Sequence, residues 1–135
     1  MTRNERLETM RPNPAWDADS YPEVVDALSR DGLEFKVWGG DWCKDCRAQL
    51  PDFGAALDAA GVPDDRVEHY PVEKEADGSK VGPRVEEYGI DRIPTAVVEH
   101  DGEEVARFVE EADVPIAVYL AERLAAGAVE AEADD

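Results

Sequence analysis

Cysteine is almost absent from this chain: Cys43 and Cys46 are the whole supply. A scaffold held by several disulfides is therefore excluded, and 135 residues are enough to build a core without one. Histidine is as scarce. His69 and His100 lie too far apart for the His-x₃₋₅-His half of a zinc site, and no second cysteine pair completes a four-ligand set. No apolar run approaches the roughly 20 residues of a membrane-spanning helix. The opening ten residues mix charges without the apolar stretch of a secretory signal, so the expected setting is cytoplasmic, with no membrane partner.

Positive charge is also in short supply. Fourteen Lys and Arg face 33 Asp and Glu, a formal net charge of -19 with a pI near 4.3. Such a field repels phosphate backbones and anionic lipid, which argues against nucleic acid as a partner. The lysines, Lys36, Lys44, Lys74 and Lys80, are outnumbered by arginines, and the acids are spread along the chain. This pattern resembles proteins of salt-accumulating halophiles. At about 1 M salt the Debye length shrinks to about 3 Å, and repulsion between surface carboxylates is largely screened.

What the chain does have is regular patterning over one domain's length. Residues 1–18, with Pro12 and Pro14 and no period, read as an extended N-terminal arm. Ser20 and Glu23 fit a capping box, with Pro22 in the first turn and Val24, Val25 and Leu28 as the apolar stripe of a helix over about 20–30. Leu33-Glu34-Phe35-Lys36-Val37-Trp38 alternates as a strand and Gly39-Gly40 ends it. A helix starts at the cysteines, runs through Ala48, Leu50, Phe53, Ala56 and Leu57, and contains Pro51. Residues 66–72 read as a strand weakened by Pro71, followed by a charged loop through Asp77-Gly78. Pro83 and Gly89 frame a short helix, and Asp101-Gly102 joins two strands as a hairpin. Asp113 caps a last helix bearing Ile116, Tyr119, Leu120 and Leu124, and residues 127–135 read as an acidic tail. The order of elements predicts an α/β fold: a strand–helix–strand unit, parallel and right-handed, followed by an antiparallel hairpin.

The short stretch Trp42-Cys43-Lys44-Asp45-Cys46 carries the chemistry. Spacing i, i+3 at a helix start puts both sulfurs on one face. Cys43, at or beside the N-cap, meets the unpaired N–H groups and positive dipole end that favour a thiolate, the species that attacks disulfides. Lys44 pushes the same way; Asp45 and Asp41 oppose it. Cys46, one turn deeper, is placed to resolve a mixed disulfide on Cys43. Trp42 reads either as an apolar lip over the pair or as a core residue. A structural bridge across so short a loop would remove little unfolded-state entropy, and metal binding lacks ligands, so redox chemistry is the reading that uses both sulfurs.

These residues resemble the thioredoxin superfamily. Trp42-Cys43-Lys44-Asp45-Cys46 is similar to its Trp-Cys-x-x-Cys, with Pro51 where the family kinks the active-site helix. Tyr88-Gly89-Ile90-Asp91-Arg92-Ile93-Pro94-Thr95 is similar to its Tyr-Gly-Ile-x-x-Ile-Pro-Thr, whose proline is cis and faces the cysteines. Asp101-Gly102-Glu103 resembles its hairpin turn. The resemblance implies a thioredoxin-like domain over 19–126: a mixed four-stranded sheet, with room for a fifth edge strand, sandwiched between helices. It implies catalysis by Cys43 and Cys46 and substrate binding by Trp42, Ile93, Pro94 and Thr95. Val37 stands where the family often buries an Asp, and Glu110 stands near a glycine that lets partners approach. His69, near the place of a family lysine, is either the proton acceptor for Cys46 or a histidine without chemistry. With Lys44 and Asp45 it completes the groups that tune the thiols.

The expected activity is that of a monomeric thiol–disulfide oxidoreductase acting on protein or small-molecule disulfides, with no metal or organic cofactor. A separate reductase or low-molecular-weight thiol would supply electrons. An anionic Asp45 disfavours the thiolate, which makes the couple more reducing and favours a reductase. Two alternatives stay open: a thioredoxin-fold binding or scaffold module with idle cysteines, and a metal carrier that borrows ligands.

Overall fold

Alternating apolar residues in the middle of the chain build a sheet, and helical stripes on either side of them supply its cover. A computed structural model describes residues 7–30, 32–40, 43–75, 80–82, 84–109 and 114–133. In chain order the elements are α1 (Pro22–Leu28), β1 (Leu33–Gly39), α2 (Lys44–Ala59), β2 (Val67–Pro71), β3 (Glu73–Lys74) and β4 (Lys80–Val81). They continue with α3 (Val85–Tyr88), β5 (Thr95–His100), β6 (Glu103–Val109) and α4 (Ile116–Ala133).

The main sheet has four strands in the order β2-β1-β5-β6. β1 pairs parallel to β2, Val37 opposite His69 and Gly39 opposite Pro71, and antiparallel to β5, Trp38 opposite Thr95. β5 and β6 form the expected hairpin. Both turn residues have positive φ, Asp101 at 55° and Gly102 at 85°, as a two-residue turn matched to strand twist requires.

Side-chain alternation along β1 divides the sheet's two covers. Phe35 meets Phe53 of α2 edge-on at 6.4 Å, so this face lies under the cysteine helix. Trp38, on the opposite face, lies 4.9 Å from Tyr88 of α3 and stacks on Tyr70 of β2 at 4.7 Å. Helices α1, α2 and α4 touch one another, and α4 also packs on β6, where Tyr119 meets Phe108 at 5.5 Å. The core so enclosed includes Leu28, Phe35, Val37, Leu50, Phe53, Phe108, Ile116 and Leu120. Burying a side chain of this size stabilises the fold by about 1.5–3 kcal/mol.

Lys36 sits in the same face as Trp38 and is almost wholly buried, yet it is not unpaired. Its Nζ lies 3.3 Å from Glu99, 3.5 Å from Glu68 and 3.8 Å from Glu34. Tyr88 donates to Glu99 at 2.6 Å, which satisfies a second oxygen of that buried carboxylate.

Four sequence expectations need correction. The arm over residues 7–18 is not extended: it forms 3-10 turns at Glu8–Met10 and Ala18–Ser20, and Leu7 and Met10 enter the core. Ser20 does not cap α1, because its hydroxyl donates to Asp17 at 2.8 Å and the N-cap is Tyr21. The charged stretch after β2 contributes the ribbon β3–β4, strands too short for an alternating pattern to reveal. The acidic tail continues α4 to Ala133, since its alanines and glutamates are strong helix formers. Asp77, Gly78, Pro83, Glu110 and Asp113, each given a role by sequence, lie outside the described residues.

Candidate functional site

β1 delivers the chain to the site. Its last residue, Gly39, is packed so closely that a Cβ there would lie 3.0 Å from Leu50 Cδ1, 3.3 Å from Cys46 Sγ and 3.4 Å from Leu7 Cδ1. A side chain at Gly39 would press on Leu50, Cys46 and Leu7, and one of them would have to give by a few tenths of an ångström. The next residue, Gly40, closes the turn: its carbonyl accepts from Cys43 N–H at 3.0 Å.

Cys43 is the N-cap of α2, with extended backbone angles (φ -86°, ψ 126°), and its carbonyl accepts the helix's first bond from Arg47 N–H at 3.0 Å. Its side chain is half-buried, beside the orphan N–H groups and positive dipole end of a 16-residue helix. Cys46, one turn on, is fully buried. Gly40 N–H donates to Cys46 Sγ at 3.4 Å. Burial pushes the Cys46 thiol up to about 12; the Gly40 donor opposes this, while Cys43 and the negative charge of Asp45 add to it. The two sulfurs are therefore inequivalent, one half-open at the helix end and one sealed and held protonated.

The Ile93–Pro94 peptide is cis. Because Thr95 pairs with Trp38, Pro94 falls at the same end of the sheet as Gly39 and Gly40, where the cysteine helix begins. Ile93, Pro94 and Thr95 have buried side chains, and Thr95 Oγ1 donates to Arg92 O at 2.6 Å. Lys44 and Asp45 are exposed on the first turn of α2. Trp42 lies outside the described residues.

His69 is paired across from Val37. Its Nδ1 accepts from Leu7 N–H at 3.0 Å. A neutral imidazole has one accepting nitrogen, and here it is engaged by the arm. The role of proton acceptor for Cys46 thus conflicts with the observed hydrogen bond. Sequence reasoning also passed over Leu7, Gly39 and Gly40 as parts of the site. Two faint signals for the arm's involvement were the apolar Leu7 and Met10 in an otherwise charged segment and the glycine Gly54 inside the cysteine helix.

A strand runs straight into a cysteine-bearing helix, a helical crossover returns to a parallel neighbour, and an Ile-Pro-Thr segment leads into β5 at the same end of the sheet as the cysteines. The fold is thioredoxin-like. Among solved structures, a mutant thioredoxin from Halobacterium salinarum is similar at a TM-score of 0.48 and 23% identity, covering 78% of this chain and 82% of that one. The oxidised form of mitochondrial thioredoxin 3 from Saccharomyces cerevisiae is similar at a TM-score of 0.45 and 17% identity, covering 65% of this chain and 76% of that one. No protein-family model matches this thioredoxin-like chain, and no curated protein sequence does. Among its described residues, no helix is long and apolar enough to cross a membrane.

Proposed function

We propose that this thioredoxin-like chain is a cytoplasmic thiol–disulfide oxidoreductase working mainly as a disulfide reductase. The observation that carries the reading is the inequality of the two sulfurs: Cys43 at the amino end of α2, Cys46 sealed one turn deeper. The Cys43 thiolate attacks a substrate disulfide, forms a mixed disulfide and expels one substrate thiolate, which takes up a proton. Cys46 then gives up its proton and attacks Cys43 Sγ. That step closes the Cys43–Cys46 disulfide and releases the second substrate thiol, so two electrons pass from the protein to the substrate. A reductase or small thiol restores the dithiol. The backbone at Ile93 and Pro94, with Thr95 fixing the turn, holds the substrate chain as an added extended segment, and Trp42, next to Cys43 in sequence, is assigned apolar contact with that chain. Neither metal nor organic cofactor takes part.

Asp45 supports the reductase direction. It disfavours ionisation at Cys46, and a less stabilised dithiolate makes a stronger donor of electrons. The acidic surface suits a cytoplasm rich in potassium salts.

Trapping tests the proposal. In molar KCl the Cys46→Ser protein should accumulate covalent partners on Cys43 that dithiothreitol releases, and the native protein should accelerate reduction of a reporter disulfide such as that of insulin. Loss of that acceleration in Cys43→Ser completes the expected pattern. Equal rates for native and Cys43→Ser protein, with no trapped partner, would refute it.

A further inference from the structure

The arm ahead of α1 makes a set of contacts that α1 and the sheet do not require. Leu7 N–H reaches across to His69 Nδ1. Asn13 N–H donates to Pro51 O at 3.1 Å, and Asn13 Nδ2 donates to Asp52 Oδ1 at 2.8 Å. Between these anchors Met10 lies so close to α2 that a Cβ on Gly54 would stand 2.1 Å from its carbonyl oxygen. A mid-helix glycine costs about 0.5–1 kcal/mol relative to alanine, so Gly54 is explained by the arm and not by the helix. The arm is thus clamped to the helix that carries the cysteines, at its proline.

The result of the clamp is the position of Leu7. Its Cδ1 and the Sγ of Cys46 both border the vacant Cβ position of Gly39, and both side chains are buried. Val37, on the same face of the sheet, offers the sulfur no polar group. A segment far away in sequence therefore packs against the same point beside Gly39 as Cys46 Sγ.

We propose that Leu7 is a positioning residue for the resolving thiol: held by His69 and by the Gly54 seat, it closes the chamber of Cys46 against water and so sets how readily that sulfur ionises. The proposal rests on the oxidoreductase reading for its consequence, since a shielded Cys46 stays protonated until a partner is attached to Cys43. Its physical content is separate from that reading and can be measured without turnover.

The experiment follows alkylation of Cys46 by iodoacetamide against pH, site by site by mass spectrometry, in reduced Cys43→Ser protein in molar KCl. Leu7→Ala, which opens the wall, should move the Cys46 midpoint down by about one pH unit, read below the midpoint as about tenfold faster alkylation. Gly54→Ala leaves Leu7 intact but forces the arm off its seat, and should produce a shift of the same sign. His69→Leu should shift it likewise, whereas His69→Asn, which keeps an acceptor near Nδ1, should restore the native profile. A purely structural arm would change stability and leave the midpoint in place. Unmoved midpoints in the variants that stay folded, with disulfide reduction intact in the native protein, would overturn the wall and leave the oxidoreductase reading standing. Shifted midpoints in a native protein that reduces no disulfide would support the wall and overturn the other reading.

Discussion

Cys46 should make the stability of the reduced protein fall steeply in alkali. Burial pushes its thiol from an ordinary 9.0 up to about 12 in the folded state. The folded protein therefore keeps a proton that the unfolded chain releases first, and the resulting stabilisation is complete below about pH 9. Each pH unit above that removes about 1.4 kcal/mol, so about 2 kcal/mol is gone by about pH 10.5 and about 4 kcal/mol by about pH 12. Tyr70 and Tyr88, both pushed up to about 12 chiefly by burial, act with the same sign. A difference experiment isolates the cysteine: urea unfolding of the native and Cys46→Ala proteins at several pH values, with reductant and molar KCl throughout. Removing the buried sulfur also leaves a small void, but that cost does not vary with pH. The native protein should lose stability faster with pH by about 2 kcal/mol between about pH 8 and 10.5. Parallel curves for the two proteins would refute the claim that burial holds the proton on Cys46.

Further expectations concern the rest of the fold. Lys36→Met should cost about 3–5 kcal/mol in chemical denaturation, because it strands the carboxylate of Glu99, whose side chain is 10% exposed, beside Glu34 and Glu68; a neutral result would mean that these groups regain water freely. Gly102→Val should cost about 1–2 kcal/mol, since a branched side chain would have to adopt a φ of 85°, and the melting temperature reports it. On the acid side, Tyr70 donating to Glu68 and Arg107 paired with Glu104 hold both carboxyls below the usual range. Their stabilisation is present above about pH 4.3 and is lost as pH falls through the folded values, which acid titration followed by circular dichroism would detect. Raising KCl from about 0.1 M to about 2 M should raise the melting temperature if repulsion among the excess carboxylates dominates, and a flat profile would count against a halophilic setting.

The parts of this architecture that rest on local chemistry were legible in the sequence. β1 and the β5–β6 hairpin announce themselves through alternation and the Asp101-Gly102 turn, and α2 through its stripe from Ala48 to Leu57. The cysteine pair at the start of that helix follows from Gly39-Gly40 ending the strand just before it. The arm was not legible, because Met10 against Gly54 and Leu7 against His69 are contacts between distant segments that leave no period behind. Besides the apolar Leu7 and Met10, Gly54 carried a trace, being a glycine where the helical stripe has no use for one. Residues 130–133 illustrate the opposite difficulty: alternating glutamate and alanine fit a solvated tail and a helix equally well, and only the continuation of α4 decides. His69 stands across from Val37, and which group would claim its nitrogen depended on the unforeseen fold of the arm.

An open sheet leaves two raw margins, β2 and β6, where a second copy could zip on through main-chain bonds. Like-charged copies shun one another in dilute buffer, yet brine erases that aversion. What persists is stereochemical. Pro71 has no amide hydrogen to lend at one margin, and a slip in pairing between Val98 and Glu99 bends the ladder beneath the other. Both safeguards are indifferent to ions, so they keep working at salinities where electrostatic protection against clumping has gone.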